Sequence, residues 1–159
     1  PASVQNMQMA EDETAGFSEE QAPLVSIVVG TVTGGKETNP LLKSNISDED
    51  FRLALMDSLA ESKLNSSKAL QEYVLNAEIL DVKSNSFGIT FKVSTSIAYE
   101  LFENQSSTPL MRRVIDAEGS AKFSESWVGM NRYKLALERS AQNNISEIVE
   151  VLFTFDGES

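Results

Sequence analysis

A long alternation of apolar and polar residues runs through Phe87–Leu101 and predicts an extended strand. Apart from Thr95, every odd position in this stretch is apolar, and the even positions are polar or small. A period of two residues places the odd side chains on one face of a sheet, because successive side chains of a strand point to opposite faces. The same alternation recurs over Met111–Phe123. Residues 103–109 (ENQSSTP) are typical of a turn, so we expect the two segments to form a long antiparallel hairpin.

Two shorter segments predict the remaining strands. Residues 23–32 (PLVSIVVGTV) are apolar and β-branched, and residues 73–79 alternate in the same way as the long strand. The polar residues 81–86 (DVKSNS) are predicted to turn the chain from residues 73–79 into the long strand.

Helix signals follow the first strand and recur at the end of the chain. Ser47 is a typical N-cap, and the acidic residues 48–50 favour the amides of a first helical turn. Ile46 and Phe51 occupy the positions of a hydrophobic staple, and this helix is expected to end near residues 64–67. A second helix is predicted from about residue 126 to about residue 152. Its buried stripe is marked by apolar residues at helical spacing: Tyr133, Leu137, Ala141, Ile148 and Leu152.

These elements predict an α+β fold in the order β-α-β-β-β-α. Each helix has one apolar stripe, so both should pack on one face of an antiparallel, hairpin-rich sheet and form a two-layer sandwich. Residues 23–155 make up this single domain, and the other face of its sheet should be partly exposed. Residues 1–22 are acidic and aperiodic, which predicts a flexible tether, and residues 156–159 a disordered C-terminus. Within the tether, four apolar residues could dock locally: Val4, Met7, Met9 and Phe17.

The composition excludes several classes of function. A chain of 159 residues with 41% hydrophobic residues is long enough to bury one core. It contains no Cys and no His, which excludes Ser-His-Asp triads, Cys-His pairs and the usual zinc sites. Its net charge of −11 opposes binding to nucleic acid or to an anionic membrane surface. No apolar run approaches the roughly 18 residues of a membrane span.

Two segments of the chain partly match nucleotide- or metal-binding motifs. The segment Gly30–Glu37 has the glycine and lysine spacing of a phosphate loop, but Glu37 stands where a Ser or Thr would hold magnesium. The acidic residues 48–50 lack the spacing of a calcium loop, and helix capping explains them. We therefore predict a non-enzymatic protein with no cofactor and no metal.

Asp116 and Glu118 carry a weaker, catalytic hypothesis. They lie on one face of the fourth strand, about 6.6 Å apart along it, a spacing compatible with acid-base hydrolysis. Arg112 and Lys122 share that face, so ordinary ion pairing is the simpler interpretation.

Apolar and basic residues meet at the end of the predicted hairpin and form the candidate partner-binding site. Its members are Leu101, Phe102, Pro109, Leu110, Met111, Arg112 and Arg113. The alternative is that these residues have a structural role only, as a capped hairpin end whose arginines are solvated. The partner would be another protein or a second copy of the chain, because a long edge strand invites pairing.

The competing function is a small apolar-ligand carrier, which requires a pocket above about 300 Å³ between the sheet and the last helix. Trp127 is expected to anchor the corner before that helix.

The order of elements resembles small bacterial envelope lipoproteins, a group that includes accessory subunits of cell-surface assembly machines. The resemblance is one of pattern over residues 24–153. It is carried by a capped helix (SDEDFRLALMDSLAESKL), two strands (YVLNAEIL and a long one ending in SIAYEL) and a terminal helix (RYKLALERSAQNNISEIVEVL). It implies a β-α-β-β-β-α core behind a polar tether that follows a lipidated Cys, with the signal peptide and anchor removed. It also implies a periplasmic or outer-membrane location and a binding or assembly role.

Overall fold

The computed structural model of the protein describes residues 1–10, 25–36, 45–69, 71–87, 90–126 and 128–155. Its elements are α1 (Val4–Met7), β1 (Val25–Thr33), α2 (Asp48–Glu61), β2 (Gln71–Phe87), β3 (Thr90–Glu103), β4 (Met111–Lys122), the 3-10 helix η1 (Phe123–Glu125) and α3 (Gly129–Phe153). The predicted order β-α-β-β-β-α is confirmed, and α1 and η1 are additional. Trp127 lies outside the described residues.

The four strands form one sheet in the order β1-β2-β3-β4. Strand β1 runs parallel to β2, because the crossover through α2 returns the chain to the same end of the sheet. Strands β2, β3 and β4 are antiparallel, so the sheet is mixed. The predicted hairpin is confirmed, with Thr90 opposite Lys122 and Leu101 opposite Met111.

Strand β2 is longer than predicted, and the turn expected at residues 81–86 is wrong. These residues continue β2, with Asp81 opposite Ser96 and Asn85 opposite Lys92. A bulge after Ile79 shifts the alternation by one residue at this point. The polar composition reflects exposure, since residues 83–85 of β2 extend past the end of β1 and are exposed.

The core lies between the inward face of the sheet and the helices α2 and α3. Ser47 caps α2 as predicted, since its Oγ accepts a hydrogen bond from Asp50 N at 3.1 Å. The stripe predicted on α3 is confirmed, because all five of its residues are buried. The largest completely buried side chains of the sheet include Ile27, Leu75, Ile97, Tyr99 and Leu101.

The first ten residues pack against the helices. Ala2, Met7 and Met9 are buried in the core cluster. The amide of Ser3 donates to a carboxylate oxygen of Glu138 on α3 at 2.6 Å. The predicted tether therefore does not describe residues 1–10, because the apolar side chains in this polar segment are enough to dock it. Residues 11–22 and 156–159 lie outside the described part of the chain.

Helix α3 approaches β4 very closely at Gly119. A Cβ at this position would lie 2.2 Å from Ser140 N and 2.3 Å from Ala136 O, both in the backbone of α3. Only a residue without a side chain allows this contact.

A buried polar network joins α3 to β3 and β4. The side-chain nitrogen of Asn144 donates to Ile115 O at 2.9 Å and to Thr95 O at 3.3 Å. Its side-chain oxygen accepts from the Tyr99 hydroxyl at 2.7 Å, and Ser140 Oγ lies 2.9 Å from Thr95 Oγ1. Burial and the nearby negative charge of Glu147 raise the pKa of Tyr99, so its hydroxyl remains a hydrogen-bond donor. The network fixes the position of α3 over the sheet.

A bidentate ion pair between Glu125 and Arg139 holds helix η1 against α3. Arg139 on α3 donates to the carboxylate of Glu125 at 2.6 and 3.0 Å. The amide of Lys122 donates to the same carboxylate at 2.8 Å. The Arg139 hydrogen bond, followed by that of the Lys122 amide, lowers the pKa of Glu125 from 4.5 to about 2.

We expect the Glu125→Gln variant to be less stable than the wild type at neutral pH. The folded state lowers the pKa of Glu125, so its contribution is complete above about pH 4.5 and is lost as the pH falls towards about 2. Urea midpoints of both proteins at pH 7, 4.5 and 2.5 should therefore converge at the acidic end. Glu150→Gln, which removes an exposed charge elsewhere on α3, is the control. A gap that stays constant with pH would contradict this assignment.

Candidate partner-binding surface

The face of the sheet that points away from α2 and α3 carries mostly polar and small side chains. A row of apolar side chains crosses one end of it, because Val28 pairs with Val74 and Val74 pairs with Phe102. Nearer β4, Val114 lies opposite the buried Ala98. Val28 and Val114 are 40% and 46% exposed, respectively. This face therefore carries one short apolar row at one end and a separate exposed valine on β4 within an otherwise polar surface.

Leu101 does not belong to the partner-binding site. Its side chain is completely buried in the core, so it cannot touch a partner. The prediction grouped it with Phe102 by nearness in sequence, although the alternation of β3 places the two side chains on opposite faces.

The other six predicted residues lie at the surface to different degrees. Pro109, Arg112 and Arg113 are exposed, and Phe102 is half-buried. Phe102 and Arg112 lie on the outer face of the sheet, whereas Arg113, opposite Tyr99, lies on the face that carries the helices. Leu110 and Met111 are half-buried and pack against the core. We call these six residues the hairpin-end surface: Phe102, Pro109, Leu110, Met111, Arg112 and Arg113.

The two arginines of the hairpin-end surface have no ion-pair partner among the described residues. Arg112 lies opposite Glu100 in the strand register, yet the ion pairs found are Lys83–Asp81 and Arg139–Glu125. The chain as a whole carries a net charge of −11. Two exposed, unpaired positive charges on such a protein favour contact with a negatively charged group.

Val114 is absent from the sequence-predicted site, although it is 46% exposed beside Arg112. A signal was present, because Val114 breaks the alternation of β4 by placing a β-branched residue at an outward position. The alternation itself does not show that β4 is an edge strand, and exposure at an edge is what makes Val114 available for contact.

The two carboxylates of the catalytic hypothesis do not share a cleft. Asp116 lines a shallow depression of about 390 Å³ with Asp81 and Lys83. Glu118 lines a separate polar cleft of about 520 Å³ that also includes Arg139. The convergence that acid-base hydrolysis requires is therefore missing at this pair.

Neither of the two cavities described at α3 fits an apolar-ligand carrier. The cleft of about 520 Å³ at Arg139 is lined mainly by polar and charged residues, and the other cavity is too small. It measures about 190 Å³ and lies at the edge of β2, with Ile79, Val82 and Tyr133 in its lining. A carrier needs about 300 Å³ or more, so this cavity does not favour that function.

The phosphate-loop motif does not have the geometry of a phosphate site in the part that is described. Gly30 lies within β1, and the amide of Gly35 donates to a carboxylate oxygen of Asp48 at 2.6 Å. Glu37, the last residue of the motif, lies outside the described residues. None of the helices in the described ranges is long and apolar enough to cross a membrane.

Comparison with known proteins identifies the fold and no family. No protein-family model matches the chain, and no curated protein matches it. A candidate lipoprotein from Caulobacter crescentus is 15% identical with a TM-score of 0.54, and the match covers 90% of this chain and 93% of that one. A protein of the DUF330 family from Xanthomonas campestris is 10% identical with a TM-score of 0.57, over 78% and 81% of the two chains. A hypothetical protein from Chlamydia trachomatis is 16% identical with a TM-score of 0.56, over 80% and 94%.

These similarities define the class of protein to which the fold corresponds. The chain is an α+β two-layer sandwich of a kind found in bacterial proteins, one of which is described as a candidate lipoprotein. At 10–16% identity, the likeness extends to the fold alone.

Proposed function

We propose that the protein is a non-enzymatic, envelope-associated domain that binds a protein partner through the hairpin-end surface. The fold that it shares with a candidate bacterial lipoprotein supports an envelope location. A role as an assembly accessory and a periplasmic or outer-membrane site are parts of the same proposal.

The observation that carries this proposal is the unpaired Arg112 beside the half-buried Phe102 on the outer face, with a second unpaired arginine, Arg113, at the same end of β4 on the other face. Arg112 and Arg113 are exposed and lack an ion-pair partner within the described residues, although acidic residues outnumber basic ones 24 to 13 in the chain. Phe102 shares the outer face with Arg112, and Pro109 adds exposed apolar area at the end of the hairpin. Aromatic residues and arginine are the types that contribute most to protein interfaces. The partner surface should accordingly be acidic with an apolar centre.

The absence of Cys from the chain allows a selective test of this surface. A single cysteine at Pro109 carries a photo-crosslinker, and one at Glu49, exposed on α2 in the opposite layer, is the matched control. We expect the Pro109→Cys protein to give a specific adduct with the envelope fraction of the source cells and none with the cytosolic fraction. The Glu49→Cys protein should give no such adduct.

The variant Phe102→Ser with Arg112→Glu, which changes two residues of the outer face, should reduce the adduct at least about tenfold, because removing one interface anchor typically costs that much affinity. Circular dichroism and the thermal midpoint check that the variant still folds. Equal adducts at positions 109 and 49, or an adduct that survives the double substitution in a folded protein, would overturn the proposal.

A further inference from the structure

Strand β4 is an outer strand of the sheet, and helix α3 covers the later half of its free edge. The side-chain nitrogen of Asn143 donates to Glu118 O, and Arg139 donates to Ser120 O, each at 2.7 Å. These bonds occupy backbone carbonyls that would otherwise be available to another strand.

The buried network reveals which backbone groups of β4 face outward. One nitrogen of Asn144 lies within hydrogen-bond distance of both Thr95 O and Ile115 O. This is possible only when both carbonyls point into the space between β3 and β4. Backbone groups of successive residues in a strand point to opposite sides, so the even-numbered residues of β4 point away from β3.

The earlier half of the β4 edge is therefore open. Arg112, Val114 and Asp116 direct their N–H and C=O groups outward, and none of these groups has a partner in the described ranges of the chain. The side chains of all three residues are exposed on the outer face. An unpaired row of this kind is a template for strand addition.

The charges along this edge allow two copies of the segment to pair with each other. When two copies of the segment run antiparallel about Val114, each Arg112 lies opposite Asp116 of the other copy, and the two Val114 residues face each other. Neither Arg112 nor Asp116 has an ion-pair partner among the described residues. Opposite charges directly across two strands stabilise their pairing, and like charges destabilise it.

We propose that the protein forms a dimer in which Arg112–Asp116 of β4 pairs antiparallel with the same segment of a second copy. The two sheets then form one continuous sheet of eight strands, with both Arg112–Asp116 pairs and the Val114 contact at its centre. This inference rests on the proposed protein-binding function and names a second copy of the chain as a partner. The contact is short, so the dimer belongs to the weak class of interfaces.

The experiment exchanges the two charges and measures association by sedimentation equilibrium. At protein concentrations up to about 1 mM, which detect millimolar dissociation constants, the average mass of the wild type should rise with concentration above its monomer mass of 17.4 kDa and towards twice that value. Arg112→Asp and Asp116→Arg each place like charges opposite one another, so each variant alone should dimerise at least about tenfold more weakly.

Mixing the two single variants restores complementarity, because one copy then carries two aspartates and the other two arginines at these positions. We expect the mixture to form a heterodimer at least about tenfold tighter than either variant alone. The double variant with both substitutions should dimerise like the wild type. Glu78→Arg, a charge reversal at an exposed outer-face position of β2, controls for net charge and should not weaken the dimer.

A second variant tests the backbone directly. Proline is tolerated on an edge strand at a position where the replaced residue has its N–H pointing to solvent. Val114→Pro should therefore fold, but it should fail to dimerise because it lacks the N–H that would bond to the second copy. A wild type that stays monomeric up to about 1 mM, or a variant mixture no tighter than its components, would overturn the dimer. The Pro109→Cys crosslinking result is independent of that outcome, so failure of the dimer does not imply failure of the protein-binding function.

Discussion

Replacing Gly119 by alanine is expected to destabilise the protein severely. The added Cβ would meet Ser140 N at 2.2 Å and Ala136 O at 2.3 Å. Both atoms belong to the backbone of α3, so no side-chain rotation relieves the contact. Helix α3 would have to move away from β4. We expect a loss of about 3 kcal/mol or more in the free energy of unfolding, at or above the upper end of the usual cost of overpacking.

Urea unfolding followed by circular dichroism measures this loss. Ser120→Ala is the matched control, because residue 120 is the exposed neighbour on the same strand and its backbone carbonyl still accepts from Arg139. The control should stay within about 0.5 kcal/mol of the wild type. A Gly119→Ala protein as stable as this control would show that α3 does not lie on β4 as described.

The two helices and the hairpin of β3 and β4 were predictable because each has a single, regular period. The spacing of the apolar residues places the stripe of α3 correctly, and the N-cap Ser47 locates the start of α2. Residues 81–86 were misjudged because polar residues in a strand are indistinguishable from a turn when both faces of that strand are exposed. The docking of residues 1–10 was predictable only in part: Val4, Met7 and Met9 could be named as apolar residues able to dock, but the groove that receives them is formed by distant residues and has no signal in this segment.

The candidate site was only partly predictable for a related reason. Alternation assigns each side chain of a strand to one face of the sheet, and it assigns Leu101 to the core face. Leu101 was nevertheless included in the predicted site because it adjoins Phe102 in sequence. Alternation does not say which strand is at the edge. The open edge at Val114 follows from the strand order and from the hydrogen bonds of Asn144, both of which depend on contacts between distant residues.

Replacing Asn144 by leucine is the second substitution with a large expected effect. Leucine keeps a side chain of similar size but cannot bond to Ile115 O or to the Tyr99 hydroxyl, which Asn144 meets at 2.9 and 2.7 Å. Tyr99 and Asn144 are completely buried, so no water can replace the lost bonds without opening the core. An unsatisfied buried polar group costs roughly 1–3 kcal/mol. We expect a loss of about 3 kcal/mol, at the upper end of this range, because the Tyr99 hydroxyl loses its acceptor and Ile115 O and Thr95 O each lose one donor.

A double-mutant cycle with Tyr99→Phe separates the hydrogen bond from the packing. Tyr99→Phe alone leaves the side-chain oxygen of Asn144 without its donor and should cost about 1–2 kcal/mol. In the Asn144→Leu protein the Tyr99 hydroxyl is already unpaired, so adding Tyr99→Phe should cost little stability or restore some. The coupling between the two positions, measured from urea unfolding of all four proteins, should be about 1 kcal/mol or more. Additive effects would mean that the two side chains act separately and that the network does not fix α3 over the sheet.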